Sequence, residues 1–120
     1  MINLLQDNST FVQNDVVLNF SDLKKSNSTL YLFQFYENAE NESVYCLAYD
    51  SASLTRYNRF TIQVNSSTAS LDPTQGQIYL SSGRGKYNIW ESPSGSLNPT
   101  GLNLVEGCGV YMLTGSYKLR

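Results

Sequence analysis

The chain has 120 residues, eight basic against ten acidic side chains (formal net charge −2) and no histidine. That length fits one domain with one core. Only 15% of residues are charged, and Arg56/Arg59, Arg84/Lys86 and Lys118/Arg120 form small, separate pairs. This excludes the clustered cations that binding to nucleic acid or an anionic membrane requires.

No apolar run approaches the roughly 20 residues of a membrane span. The opening Met-Ile-Asn-Leu-Leu-Gln-Asp lacks a basic region followed by a long apolar one, so no signal peptide is expected. Synthesis without export predicts thiols for Cys46 and Cys108 in preference to a disulfide bridging two sheets.

Residues 1–11 read either as a strand or as an arm in which Ile2, Leu4 and Leu5 add to the sheet edge of a neighbouring subunit. Residues 14–20 predict a strand with Val16, Leu18 and Phe20 on one face. Residues 21–28 are a polar connection with room for one helical turn. In residues 29–36, the most apolar run, Tyr31, Phe33 and Phe35 fall on one face and Leu30, Leu32 and Tyr36 on the other. A strand apolar on both faces is central beneath a second layer or part of an interface. Residues 37–42 form an acidic turn into a strand over 43–49, completing a hairpin in which Tyr45 and Tyr49 are expected to pair with the facing aromatics. Cys46, mid-strand, reads as a small buried hydrophobe.

After a short polar connection, Phe60, Ile62 and Val64 alternate with Arg59, Thr61 and Gln63 in a strand over 56–64. Pro73 keeps residues 65–75 out of a central strand. Residues 76–80 and 86–91 are two further strands, joined through a glycine turn at Gly83-Arg-Gly85. Trp90 is out of phase with Tyr87 and Ile89, so it points away from them. Residues 92–101 form a long turn-rich loop. Residues 102–113 end the domain with pairing interrupted at Gly107-Cys-Gly109. The pattern is a succession of about seven antiparallel strands, the count of an immunoglobulin-like β-sandwich.

A reaction centre is hard to assemble from these residues. Without histidine there is no Ser-His or Cys-His pair, and the commonest metal ligand is missing. Glu37, Glu40 and Glu42 cluster in a hydrophilic turn where solvation is their ordinary fate. Asp50 and Asp72 lie in loops without calcium-loop spacing. Ser82-Gly-Arg-Gly-Lys86 lacks the spacing of a phosphate-binding loop and the helix that must follow it. Sequons at Asn8, Asn19, Asn27, Asn41 and Asn65 are matched by chance in a chain so rich in Asn, Ser and Thr. No catalytic residue, metal site or cofactor is expected. Nine tyrosines, five phenylalanines and Trp90 exceed the needs of a small core. An outward Trp90 beside Tyr79 reads as sheet covering, a subunit contact or a sugar platform.

Three motifs, Arg56-Tyr-Asn-Arg-Phe-Thr-Ile62, Gly85-Lys-Tyr-Asn-Ile-Trp-Glu91 and Asn103-Leu-Val-Glu-Gly107, resemble a pattern in small virion proteins of tailed bacteriophages of Bacteroidota, including the crAss-like group. The resemblance covers residues 28–113. The chain departs from the pattern at Trp90, where tyrosine is usual, and in the Gly107-Cys-Gly109 run. The resemblance implies an immunoglobulin-like sandwich made in the bacterial cytoplasm that decorates a capsid, with the major capsid protein or other virion proteins as partners. Self-association is a further expected contact, and a fibre module binding a carbohydrate or receptor and a head–tail connector or tail protein are the alternatives. Arg56, Tyr57, Tyr87, Trp90 and Glu106 are the positions it implies to organise the domain, with a salt bridge from Arg56 to Glu91 or Glu106.

Overall fold

A computed structural model describes residues 2–6, 12–18, 30–36, 43–50, 58–65, 71–80 and 84–115. Among them are eight strands: β1 (Ile2–Gln6), β2 (Val12–Leu18), β3 (Leu30–Tyr36), β4 (Val44–Tyr49), β5 (Asn58–Asn65), β6 (Gln77–Tyr79), β7 (Arg84–Glu91) and β8 (Asn103–Gly115). They form a five-stranded sheet in the order β1-β8-β7-β3-β4 and a three-stranded sheet in the order β2-β5-β6. The two sheets pack face to face as a β-sandwich.

The dry faces follow from alternation. Tyr31, Phe33 and Phe35 of β3, Cys46 and Ala48 of β4, and Tyr87 and Ile89 of β7 meet Val16, Phe60, Ile62, Val64 and Ile78 of the small sheet in one core. Phe60 ties the layers together. Its ring stands edge-on to Phe33 at 4.9 Å and to Tyr31 at 5.4 Å. Such pairs contribute about 0.5–1.5 kcal/mol each beyond the area they bury.

All seven expected strands are present, with their ends shifted by a few residues. The eighth is β1. It pairs parallel with β8, Ile2 opposite Tyr111 and Leu4 opposite Leu113, and both Ile2 and Leu4 are buried in this chain's own core. Within the single chain residues 2–6 are therefore a strand of its own five-stranded sheet. β5 and β6 also run parallel, so the two sheets are mixed rather than wholly antiparallel. Neither parallel pair is joined by a hairpin, so neither carries the local turn signal that betrays antiparallel neighbours.

The β3–β4 hairpin forms as expected, but Tyr45 stands opposite Gln34 and Tyr49 opposite Leu30. Tyr45 and Tyr49 share parity with Leu30, Leu32, Gln34 and Tyr36 and so face away from Tyr31, Phe33 and Phe35, and neither stands directly opposite an aromatic residue. The pairing of β8 is interrupted at its glycines, as expected. Tyr87 pairs with Gly109, Ile89 with Glu106 and Trp90 with Leu104, so β8 carries one residue more than β7 at each of two successive steps, and the strand itself runs on through them.

A 3-10 turn, Pro73–Gln75, and Gly76 after it lie against β4. Gly76 has φ 73°, and a β-carbon there would lie 3.0 Å from the Thr61 carbonyl oxygen and 3.3 Å from that of Leu47. Only glycine meets both conditions. The helical turn expected in 21–28, the acidic turn 37–42, and Phe20, Arg56, Tyr57 and Gly83 lie outside the described residues.

Candidate interaction face

The outer face of the five-stranded sheet is built by the residues of opposite parity to the core. Cross-strand pairing sets Leu47, Leu32, Trp90 and Leu104 in one row across β4, β3, β7 and β8. Leu32 and Leu47 are buried although they do not belong to the inter-sheet core. The loop 92–101 folds back over them. Ser92 N donates to the Leu30 carbonyl at 3.0 Å, and a β-carbon on Gly95 would lie 3.5 Å from Leu30 Cδ2 and 3.9 Å from Leu47 Cδ1.

That loop is held by its own bonds. Ser92 Oγ donates to Ser96 O, Asn98 N donates to Ser96 Oγ, and Thr100 N donates to Asn98 Oδ1. It is a cap on half of the outer face, and it leaves the other half open. Trp90 is half-buried at the boundary between the two. Beyond it Leu104 (49% exposed), Val110 (41%) and Met112 (38%) follow the outer side of β8, with Leu97 and Tyr49 exposed at the periphery.

Beside the apolar row runs a polar one. Asn88 Nδ2 donates to Gln34 Oε1 at 3.0 Å, and Gln34 Nε2 donates to Ser43 Oγ at 2.7 Å. These amides cross β7, β3 and the start of β4, with half-buried Tyr36 and Tyr45 beside them. The face is thus an apolar strip next to a ladder of amides.

The positions singled out from sequence scatter. Ile2 and Leu4 are core residues, while Leu5 Cα is set opposite Thr114. Tyr79 belongs to β6 in the small sheet and Trp90 to β7 in the large one. Each points away from the core, so they occupy opposite outer faces and do not form the expected common platform. Tyr87 is buried, and its hydroxyl donates to Glu106 Oε2 at 2.9 Å. Burial first, then the bond to Glu106 and the charge of Glu106, hold that phenol protonated far into the alkaline range.

Glu91, buried, accepts from Asn103 Nδ2 at 2.6 Å. The expected ion pair of Arg56 with Glu91 or Glu106 lies outside the described residues, since Arg56 does. A half-exposed ion pair joins Arg59 to Asp15 at 2.7 Å. The two loop aspartates each hold one backbone and one side-chain donor: Asp50 accepts from Arg59 N and Asn58 Nδ2, and Asp72 from Thr74 N and Thr74 Oγ1. Cys46 is a free thiol pushed up to about 12 by burial, which keeps it from acting as a thiolate. Among the described residues no three Cys, Asp or Glu side chains converge.

Sequence reasoning overlooked Leu104, Val110, Met112 and the Gln34–Asn88 pair. The signal for the face was the second apolar side of residues 29–36. Its continuation onto β8 needed the strand order and the two register shifts. No family model matches the chain, and comparison with curated proteins and with solved structures likewise gives no match.

Proposed function

We propose that the chain is a non-enzymatic structural subunit of a bacteriophage virion, an auxiliary capsid or head-decoration protein. In this reading it docks on the major capsid protein lattice through the outer face of its five-stranded sheet. The observation that carries the docking reading is the concentration of exposed apolar side chains there: Leu104, Val110 and Met112 lie on that face, with Trp90 at its centre. Exposed apolar side chains grouped on one face mark contact surfaces, whereas scattered ones are ordinary. Repetition on a lattice lets a modest contact suffice at each site.

The virion reading itself is supported by the three motifs resembling small phage virion proteins. The order β1-β8-β7-β3-β4 packed on β2-β5-β6 supports its sandwich form. The test is quantitative mass spectrometry of purified virions calibrated against the major capsid protein. A copy number near that of the capsid subunit is expected. A count in the tens or fewer moves the protein to a connector, tail or fibre, and absence from the particle removes the reading.

One observation favours a second reading, sugar binding. The Gln34–Asn88 amides lie beside Trp90, and planar amides next to an aromatic ring suit the hydroxyls and the apolar face of a pyranose. A specific glycan that quenches Trp90 fluorescence, with quenching lost in Trp90→Ala, would establish it.

A further inference from the structure

We propose that β1 exchanges between copies of this chain, so that Ile2–Gln6 of one copy occupies the edge of β8 in another. Such exchange needs no partner other than a second copy of the chain.

β1 is the separable piece of the sandwich. It ends its sheet and pairs only with β8, so its departure leaves the ladders β8-β7-β3-β4 and β2-β5-β6 whole. The pairing is parallel and joins residues 2–6 to residues 111–115. No hairpin ties the two strands locally, and their contact depends on the whole domain lying between them. Among the described residues the other side of β1 borders an open cleft lined by Ile2, Asn3, Asp15, Val16 and Val17, with Val17 58% exposed.

The slot that β1 fills is nonetheless specific. Ile2 is 2% exposed and Leu4 0%, and they stand opposite Tyr111 and Leu113. An empty slot exposes that apolar lining and one edge of β8, a combination that recruits an extended strand. The segment fitting it best is the same segment from a second copy, because it restores each buried contact. Closed and exchanged forms then share their buried contacts and differ chiefly in the entropy of association, the condition under which strand exchange is inexpensive. High local concentration favours the exchanged form.

The test uses Asn3→Cys with Met112→Cys in a Cys108→Ser background. These two positions are direct partners, and both side chains are exposed. Isotopically heavy and light chains are mixed, concentrated to the millimolar range, diluted, oxidised and digested without reduction. Exchange predicts linked peptides that pair heavy with light, approaching half of the total, and ladders of covalent oligomers on a denaturing gel. Asn3→Cys with Thr100→Cys, an exposed pair that is not opposed, reports chance collision and should give few such links. Linked peptides of one isotope only overturn the proposal. So does an equal mixed yield from both pairs, or no disulfide at all from the opposed pair.

Discussion

The ring of Tyr87 lies directly over Gly109, its partner across β7 and β8: a β-carbon on Gly109 would fall among the ring's own Cζ and Cε1 atoms. The arrangement is repeated with the roles reversed. Tyr111 of β8 covers Gly85 of β7, where a β-carbon would lie 2.7 Å from Tyr111 Cε2 and 2.5 Å from the Tyr36 carbonyl oxygen. Each glycine leaves the space that the facing tyrosine fills, and each ring shields backbone that glycine would expose.

Gly109→Ala should therefore destabilise the fold by roughly 1–3 kcal/mol, the usual cost of overpacking a filled site. The cost should shrink when Tyr87 is also shortened to Leu, since the clash is with the ring. Urea unfolding of the two single variants and the double variant measures the coupling. Strict additivity would mean that the ring does not rest on Gly109. Gly85→Ala should be rescued less well by Tyr111→Leu, because its second obstacle is the Tyr36 carbonyl.

Phe60 makes a separate prediction, because its ring contacts both Tyr31 and Phe33 across the sandwich. Phe60→Ala should cost about 3–5 kcal/mol, the range for deleting a fully buried aromatic ring. Phe60→Leu should cost less, since it keeps most of the volume while losing the edge-on geometry. Equal losses for the two would place the energy in ring contacts rather than in filled space.

Much of this fold was legible in single strands. Phe60, Ile62 and Val64 alternate cleanly, and the two apolar faces of residues 29–36 marked β3 as either central beneath a second layer or part of an interface. Trp90 was correctly set apart from Tyr87 and Ile89 by parity alone. What stayed hidden depends on pairing between distant segments. β1 joins β8 with no turn between them, and Tyr79 and Trp90 fall on opposite faces because β6 and β7 belong to different sheets. The Tyr-over-Gly pairs likewise need the β7–β8 register. Parity assigns side chains to the two faces of a strand, but it does not give the order of the strands.

Alkaline pH should unfold this protein through groups that are buried in their protonated forms. Burial raises the Cys46 thiol from 9.0 to about 12. In the unfolded chain the thiol ionises first, so its contribution to stability is complete below pH 9 and is lost as pH rises from about 9 through about 12. Tyr87 is raised by burial and by Glu106, and Tyr31 by burial and by the charges of Glu91 and Asp50. They add losses of the same sign above about pH 10, where an unfolded tyrosine ionises. One such group gives a slope of about 1.4 kcal/mol per pH unit. Urea midpoints between pH 7 and pH 11 should fall, beginning above pH 9, and Cys46→Ala should flatten the first part of that fall. A stability flat to pH 11 would contradict these assignments.

The two halves of the outer face should separate cleanly under substitution. Leu32 is fully buried beneath the side covered by the loop 92–101, whereas Leu104 and Val110 are 49% and 41% exposed on β8. Leu32→Asp places a charge where it cannot be solvated and should unfold the domain. Leu104→Asp and Val110→Asp leave their side chains in water, so each should change stability by no more than about 0.5 kcal/mol. If this face docks on a capsid, the same two variants should lose sedimentation with undecorated capsids while unfolding like the parent. Exposed charges on the small sheet, such as Val17→Asp, should leave sedimentation intact. Loss of binding in Val17→Asp, with Leu104→Asp and Val110→Asp unaffected, would move the contact to the opposite face of the sandwich.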